Sequence, residues 1–557
     1  MQPFRFDDVA AVPYRRHRHR RGCPQVYGGK VGRIRVKEER VGSLSQANPS
    51  VWVGTTASSP SFPSLSGTLE VDVVVVGAGI TGLTTALLLK QAGAKVAVVE
   101  ADRVASGTTG YTTAKGTSLQ GLAYAGRMAK HGHDKAEQYA QANQAGVERI
   151  AALVKELKID CQFERRPALT YTTDPERRAD VAAEVEAATS LGLPATYVET
   201  TDLPFPIEAA VRLEDQAQFH PRQYCLALAA AIQGEGSHLF EITRALDIDE
   251  TGGSPVVRTD GGDVVAADVV VATLLPFVDL GGFFAKAHPV SSYALAARID
   301  GDLPEGMYLG ADSPTRSVRQ VSLDGEMGLI LGGESHKVGQ GGDTEQYYAS
   351  LESWARATFP VRSIDWRWSA HDYIPVDSVP YVGRSPRSQR LHVATGFKKW
   401  GMTNGTAAGM ILSDILLSRE NPWSEVFDAT RVDASGSVKE FVKENVNVGK
   451  RFVKDHVARL GAPSADTLAP GQGGLVDLDG DEVAAFRHPD GTLQAVSAIC
   501  THLGCAVQWN PAETTWDCPC HGSRFACDGK VIYGPATADL APVTPSESQS
   551  PTRGDIG

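Results

Sequence analysis

Two short strings near the C-terminus put cysteine beside histidine: Cys500-Thr501-His502-Leu503-Gly504-Cys505 and, after a gap, Cys518-Pro519-Cys520-His521-Gly522-Ser523. Read as a Cys-x-His pair and a Cys-x-x-His pair on two loops, they offer two thiolates and two imidazoles. That is the ligand set of a [2Fe–2S] cluster in which Cys500 and Cys518 hold one iron and His502 and His521 the other. Neutral imidazoles in place of two anionic thiolates leave less negative charge on such a cluster and make it easier to reduce. Zinc is the rival, because two cysteines and two histidines also suit it. Zinc fingers usually pair like with like, and the mixed order here favours iron. Cys505 and Cys520 remain, each close to a ligand, and Cys527 reads as a bystander. Cys23, Cys161 and Cys225 are scattered, whereas a secreted disulfide scaffold would spread its cysteines evenly.

Both strings resemble the cluster loops of the Rieske proteins of cytochrome bc-type complexes. The resemblance implies a small all-β Rieske [2Fe–2S] domain, set at residues 466–542. It further implies a disulfide between Cys505 and Cys520 that staples the two loops, and a hydrogen bond from Ser523 to cluster sulfide. A disulfide inside a cytosolic protein is unusual. The second residue after Ser523, often tyrosine in high-potential members, is Phe525 here. Phenylalanine has no hydroxyl to bond a ligand sulfur. The expected potential therefore lies below the bc-complex range and above plant-type ferredoxins.

A second chemical motif lies near the start of the ordered sequence. Val73-Val74-Val75-Val76 runs into Gly77-Ala78-Gly79-Ile80-Thr81-Gly82, a buried strand followed by Gly-x-Gly-x-x-Gly. Gly77 allows the tight turn, Gly79 lets backbone approach a pyrophosphate, and Gly82 lets helix and strand pack closely. The helix N-terminus favours an anion. Glu100 follows about twenty residues on, placed to accept from a ribose hydroxyl, with Ala101 beside it. The fingerprint alone does not separate FAD from NAD. Ser106-Gly107-Thr108-Thr109-Gly110 comes next and resembles the flavin-contacting loop of the glycine/D-amino-acid oxidase (DAO) superfamily.

Further stretches carry the same resemblance over residues 70–417. They are Asp215–Pro221, Asp377-Ser378-Val379-Pro380-Tyr381-Val382-Gly383, and Gly396-Phe397-Lys398-Lys399-Trp400-Gly401-Met402-Thr403 leading into a helix expected at Asn404–Leu417. The resemblance implies that Gly396, Gly401, Met402 and Thr403 close over FAD and aim a helix end at the flavin ring, where developing negative charge is stabilised. The order of the two domains, together with residues 107–115, resembles bacterial FAD-dependent oxidoreductases with a C-terminal Rieske domain. Such a fusion implies a dehydrogenase: an amine or amino-acid-like substrate reduces FAD, single electrons pass to the cluster, and an external one-electron acceptor takes them. No catalytic motif is matched. Lys115, His336, His371, Lys398 and Trp400 are pocket candidates by their places beside the flavin segments. Arg165, Arg166, Arg222 and Arg367 are available to grip a carboxylate, but none sits in a motif matched to that role, and surface charge accounts for most of them. Two alternatives stand beside this reading. One is a redox-sensing protein without turnover. The other is an NAD(P)H-fed reductase, weakened by the lack of a second glycine fingerprint.

These sites need elements to hold them. Strand and helix signals alternate from Leu69 to Leu417: strand Val73–Val76, helix Gly82–Ala92, strand Val96–Glu100, and helices near Asp134–Leu157 and Glu176–Leu191. The pattern predicts an α/β or α+β domain, and the DAO resemblance implies a Rossmann-like βαβ unit with a mixed-sheet substrate domain. Residues 1–68 read as a disordered or extended lead-in. Residues 418–465 read as a connector with a helix near Val438–Leu460, and residues 543–557 as a disordered tail. In the Rieske stretch, Asp479-Gly480, Asp490-Gly491 and Asp528-Gly529 signal hairpins. The basic run Arg15–Arg21 has no apolar stretch after it, so it reads as a disordered tail and not as an export signal, and part of residues 1–50 reads as an over-extended start. A net charge of −12 argues against nucleic acid. No apolar run approaches the ~18 residues of a membrane span, and the expected location is the cytoplasm.

Overall fold

The computed structural model describes residues 48–431, 445–446 and 462–544. Its first sheet grows around strand Gly67–Val76. Val73–Val76 are buried on both faces, as expected for a strand inside a parallel sheet. Gly262–Val271 runs parallel on one side and Val96–Val99 parallel on the other. Leu391–Thr395 and His238–Phe240 extend the sheet outward. Helix Ile80–Gln91 crosses between the first two strands in sequence and is buried almost all round. It can be so because helix Gly401–Leu416 lies directly on it. Gly409 permits that approach, since a Cβ there would sit 2.7 Å from Thr84 Cβ.

The second sheet has nine strands and is mainly antiparallel. Its long pair, Ala287–Ile299 and Val361–Pro375, forms one wall of the space above the nucleotide fold. The C-terminal domain has two four-stranded antiparallel sheets. Asp479 and Gly480 both have left-handed φ, 58° and 92°, and join Gly473–Leu478 to Asp481–Arg487 as the Asp-Gly signal predicts. The pair Asp528-Gly529 likewise lies between strands Arg524–Ala526 and Val531–Tyr533.

Three sequence expectations change. Residues 48–66, taken as part of an extended lead-in, are anchored on the domain. Val51–Gly54 forms a helical turn capped by Ser50, with Val51 and Trp52 buried. Trp52 Nε1 donates to Thr112 O at 2.7 Å, and Arg222 donates to Thr56 O at 2.8 Å. The Ser/Pro-rich composition masked two apolar residues that suffice to pin the segment. Residues 418–431, taken as connector, also pack: Phe427 is fully buried, and the Arg431 guanidinium bonds Asp377 at 2.7 Å and lies 3.9 Å over the Tyr381 ring. The helix expected near Val438–Leu460 lies outside the described residues except for 445–446, which are helical. Val543, taken as the start of the tail, pairs with Ala495 of the strand Leu493–Ser497, next to Pro542 on Val496. Residues 1–47 and 545–557 lie outside the described residues.

Candidate functional site

One cavity of about 800 Å³ extends from the end of the first strand to the second sheet. Gly77 has φ of 107°, and a Cβ there would lie 2.6 Å from Ala272 O, so only glycine makes this turn. A Cβ on Gly82 would lie 2.0 Å from Gly77 O, so the helix rests directly on the turn. Thr109 accepts from Ile80 N at 3.2 Å and ties the Thr108–Tyr111 turn to the fingerprint. Glu100 accepts from Ala78 N at 2.7 Å and Asp102 N at 3.0 Å, while burial raises its pKa to about 7.

Of the residues assigned to the nucleotide, Gly77, Gly79, Ile80, Thr81, Glu100, Ala101, Gly107, Thr108, Thr109, Gly401 and Met402 line this cavity. Ala78, Gly82, Gly396 and Thr403 stand behind the wall, Gly82 in the close helix packing expected of it. Gly396 is pressed against Pro375, and the Thr403 hydroxyl turns inward to Asn143 Oδ1 at 2.7 Å. The helix begins at Gly401, earlier than expected, which brings its first turn to the cavity. The Asp102 Oδ1 and His371 Nδ1 atoms are buried with no hydrogen-bond partner among the described residues, and both residues line the space. A glycine-lined turn at a helix N-terminus, an acid at the strand end and unpartnered polar atoms suit an elongated polar ligand such as FAD.

Lys115, His371, Lys398 and Trp400 line the same cavity. Lys115 is buried, donates to the Ser317 hydroxyl, and has its pKa lowered to about 7 by burial and by Arg319. Lys398 donates to Ser378 Oγ at 3.0 Å, and burial lowers its pKa to about 8. His336 lies behind the wall, between Tyr293 Oη at 2.8 Å and the ring of Tyr347. None of the four arginines reaches the cavity. Arg165 and Arg166 pair with Glu148 and Glu164, Arg367 pairs with Glu345, and Arg222 holds the Thr56 segment. Arg244 lines the cavity instead. Lys399 and Asp372 also line it.

The cluster pocket brings the four expected ligands together. Cys500 and Cys518 are in side-chain contact, and the His502 and His521 rings lie 5.0 Å apart, edge to face. Cys505 and Cys520 form a disulfide. The Cys505, Cys518 and Cys520 sulfurs lie within 4.8 Å of one another, but two of these are committed to that disulfide, which leaves Cys518 free to ligate. Backbone N–H groups of His502 and Leu503 point at the Cys500 sulfur, and the Ser523 hydroxyl also bonds it. Burial lowers the His521 pKa to about 3 and lowers that of His502, so both imidazoles are neutral, the form that ligates. His502 Nδ1 is buried with no partner among the described residues. Paired thiols, neutral histidines and an orphaned imidazole nitrogen fit a [2Fe–2S] cluster. Phe525 is fully buried in the same apolar cluster as all four loop cysteines.

The two sites meet across a polar seam that no local pattern announces. Tyr373 donates to the carbonyl oxygen of His521 at 2.6 Å, and its neighbours Asp372 and Ile374 line the cavity. Phe284 lies edge-on to His521 at 5.3 Å. Gly522, with φ of 73°, approaches so closely that a Cβ would meet Pro289 at 2.7 Å. Arg524 is fully buried, grips Asp517 through two bonds of 2.7 and 2.8 Å, and donates to His371 Nε2 at 2.7 Å. Because arginine only donates, His371 accepts here and is neutral, consistent with a pKa lowered to about 4 by burial and Arg524. Leu503, next to His502, is 49% exposed, so the His502 loop reaches solvent while His521 is held against the flavin fold. Among the described residues no helix is long and apolar enough to cross a membrane.

Residues 72–415 match the family described as FAD dependent oxidoreductase, and residues 461–544 match the Rieske [2Fe-2S] domain. Over 494 residues the chain is 36% identical to a putative Rieske 2Fe-2S iron-sulfur protein, YhfW, of Bacillus subtilis (strain 168), covering 88% of this chain and 97% of the relative. Among solved structures, glycine oxidase from Geobacillus kaustophilus superposes with a TM-score of 0.56 at 20% identity, over 66% of this chain and all of that one. L-Proline dehydrogenase from P. horikoshii gives a TM-score of 0.55 at 18% identity, over 66% of this chain and 98% of that one.

Proposed function

The chain belongs to the FAD-dependent oxidoreductase family and carries a Rieske [2Fe–2S] domain behind it; from that premise we propose that it is a dehydrogenase for an amine or amino-acid-like substrate. In this reading the substrate is oxidised in the cavity, and electrons leave singly through the cluster to an outside acceptor. FAD supplies a two-electron acceptor that can release electrons one at a time, which matches the one-electron capacity of the cluster. The observation that carries the reading is the Tyr373 hydrogen bond to His521, because a residue flanked by cavity wall on both sides touches a cluster ligand directly.

The chain's own residues have distinct tasks in this scheme. An amine gives up hydride only when its nitrogen is unprotonated. Lys115, held near neutrality by burial, is a free amine above about pH 7 and can take the proton of a bound ammonium. Lys398 and Lys399 offer cationic contacts for a substrate carboxylate, a task the sequence-based expectation gave to arginine. Buried His521 faces the flavin fold, whereas the His502 loop, with exposed Leu503, is the side an external acceptor can approach. A cavity that continues past the nucleotide fingerprint to the second sheet favours turnover over a purely redox-sensing role.

The test is an anaerobic titration of the purified chain with amines and amino acids, followed by absorption. Bleaching of the flavin followed by fading of the cluster bands is expected. Flavin bleaching with a permanently oxidised cluster would rule out the internal electron route.

A further inference from the structure

The C-terminal domain does more than adjoin the nucleotide cavity: Ile532, Tyr533, Gly534, Ala536 and Thr537 form part of its wall. The segment is thin. A Cβ on Gly534 would lie 2.5 Å from Ser523 Cα, and Ala536 N donates to Ser523 Oγ at 3.1 Å. One side of residues 532–537 therefore lines the cavity while the other rests on the cluster loop. The segment is also pinned to the nucleotide end, where Arg244, itself a lining residue, donates to Val531 O at 3.0 Å.

Within this wall Tyr533 stands out. Its ring meets His371 edge-on at 5.2 Å and lies 5.6 Å from the Arg524 guanidinium, so it is held from two sides. Its hydroxyl oxygen is buried and has no hydrogen-bond partner among the described residues. Burial holds the phenol far above its ordinary range, so it stays protonated and able to donate. An orphaned buried hydroxyl is rare because it costs stability unless something bonds it. The described residues offer this hydroxyl no partner, and the segment that carries it lines the cavity.

We propose that the Rieske domain is a structural part of the dinucleotide site, with residues 532–537 closing it and the Tyr533 hydroxyl donating a hydrogen bond to an oxygen of the bound cofactor. The proposal rests on the reading that this cavity holds FAD. It differs from a purely packing role for Tyr533 in the sign of one effect. A packing hydroxyl stabilises the protein without cofactor, whereas a hydroxyl reserved for the cofactor burdens that state and contributes only when FAD is bound.

The experiment uses the full chain and its Tyr533→Phe variant, both stripped of flavin and titrated with FAD by fluorescence quenching. The variant is expected to bind FAD about three- to tenfold more weakly. Its flavin-free melting temperature should be unchanged or higher, and its cluster spectrum unchanged. Equal affinity in the two proteins, or a lower flavin-free melting temperature in the variant, overturns the proposal and leaves the proposed function standing. If the unaltered chain takes up no FAD, the reading of the cavity falls and this proposal falls with it.

Discussion

The nucleotide cradle and the cluster pocket are built by opposite means. In the cradle the essential feature is absence: Gly77 and Gly82 have no side chain, so backbone turns tightly and the helix rests on the turn. In the cluster pocket the essential feature is presence, since four side chains converge as two adjacent thiols and two imidazole rings 5.0 Å apart. The comparison teaches that the two sites should respond to opposite changes. Adding one atom destroys the first, and removing one ligand atom destroys the second.

The sharpest way to break that comparison is a reciprocal pair of variants. Gly77→Ala puts a Cβ 2.6 Å from a carbonyl oxygen and forces an alanine to φ of 107°. It is expected to abolish flavin binding while the cluster signal persists, read by absorption and by electron paramagnetic resonance. Cys518→Ser removes a thiolate, and the expected outcome is loss of cluster iron with flavin retained. Loss of flavin as well in Cys518→Ser would mean that the loaded cluster is needed to hold the 532–537 wall in place, and iron and flavin content per chain would reveal it.

Much of each site was legible in the sequence for the same reason: its residues are close together along the chain. Fingerprint, Glu100 and the 107–109 loop occupy one βα unit and the turn after it, and the cluster loops occupy two short strings. The seam was not legible. Tyr373, His371 and Arg244 belong to one domain, and His521, Arg524 and Val531 to the other. Nothing in local periodicity says that strand Val361–Pro375 will meet a cluster loop. Composition also misled at the edges. Trp52 was hidden beside a Ser/Pro-rich run, and Arg431 sat in what looked like a polar connector, yet both are fixed by partners far away in sequence. The four arginines for which no motif gave a role each have a partner outside the cavity, which sequence spacing does not display.

A second, smaller test falls on the seam itself, where the two ways of building meet. Arg524→Met would leave Asp517 buried with its charge unpaired and remove the donor to His371. Breaking a buried pair in this way costs roughly 3–5 kcal/mol, seen as a lower melting temperature. Arg524→Met combined with Asp517→Leu removes the stranded charge and is expected to recover a large part of that loss. No recovery in the double variant would mean that Arg524 acts mainly through its other contacts.

The smallest expected effect sharpens the comparison from the cluster side, where adding a polar atom should tune rather than destroy. Phe525 is fully buried among the four loop cysteines, in the strand that follows the His521 loop. Its ring gives the sulfurs apolar contact but no hydrogen bond, whereas Ser523 already supplies one to Cys500. Hydrogen bonds to the sulfurs of a cluster stabilise its reduced form, because reduction adds negative charge that a donor can meet. Phe525→Tyr adds one hydroxyl on an otherwise unchanged ring and is expected to raise the potential while leaving iron content and flavin binding as they are. A redox titration of both proteins under one set of conditions reads the shift. An unchanged or lowered potential would mean that the new hydroxyl finds a partner other than a ligand sulfur, and that donors at this position do not govern how readily the cluster takes electrons.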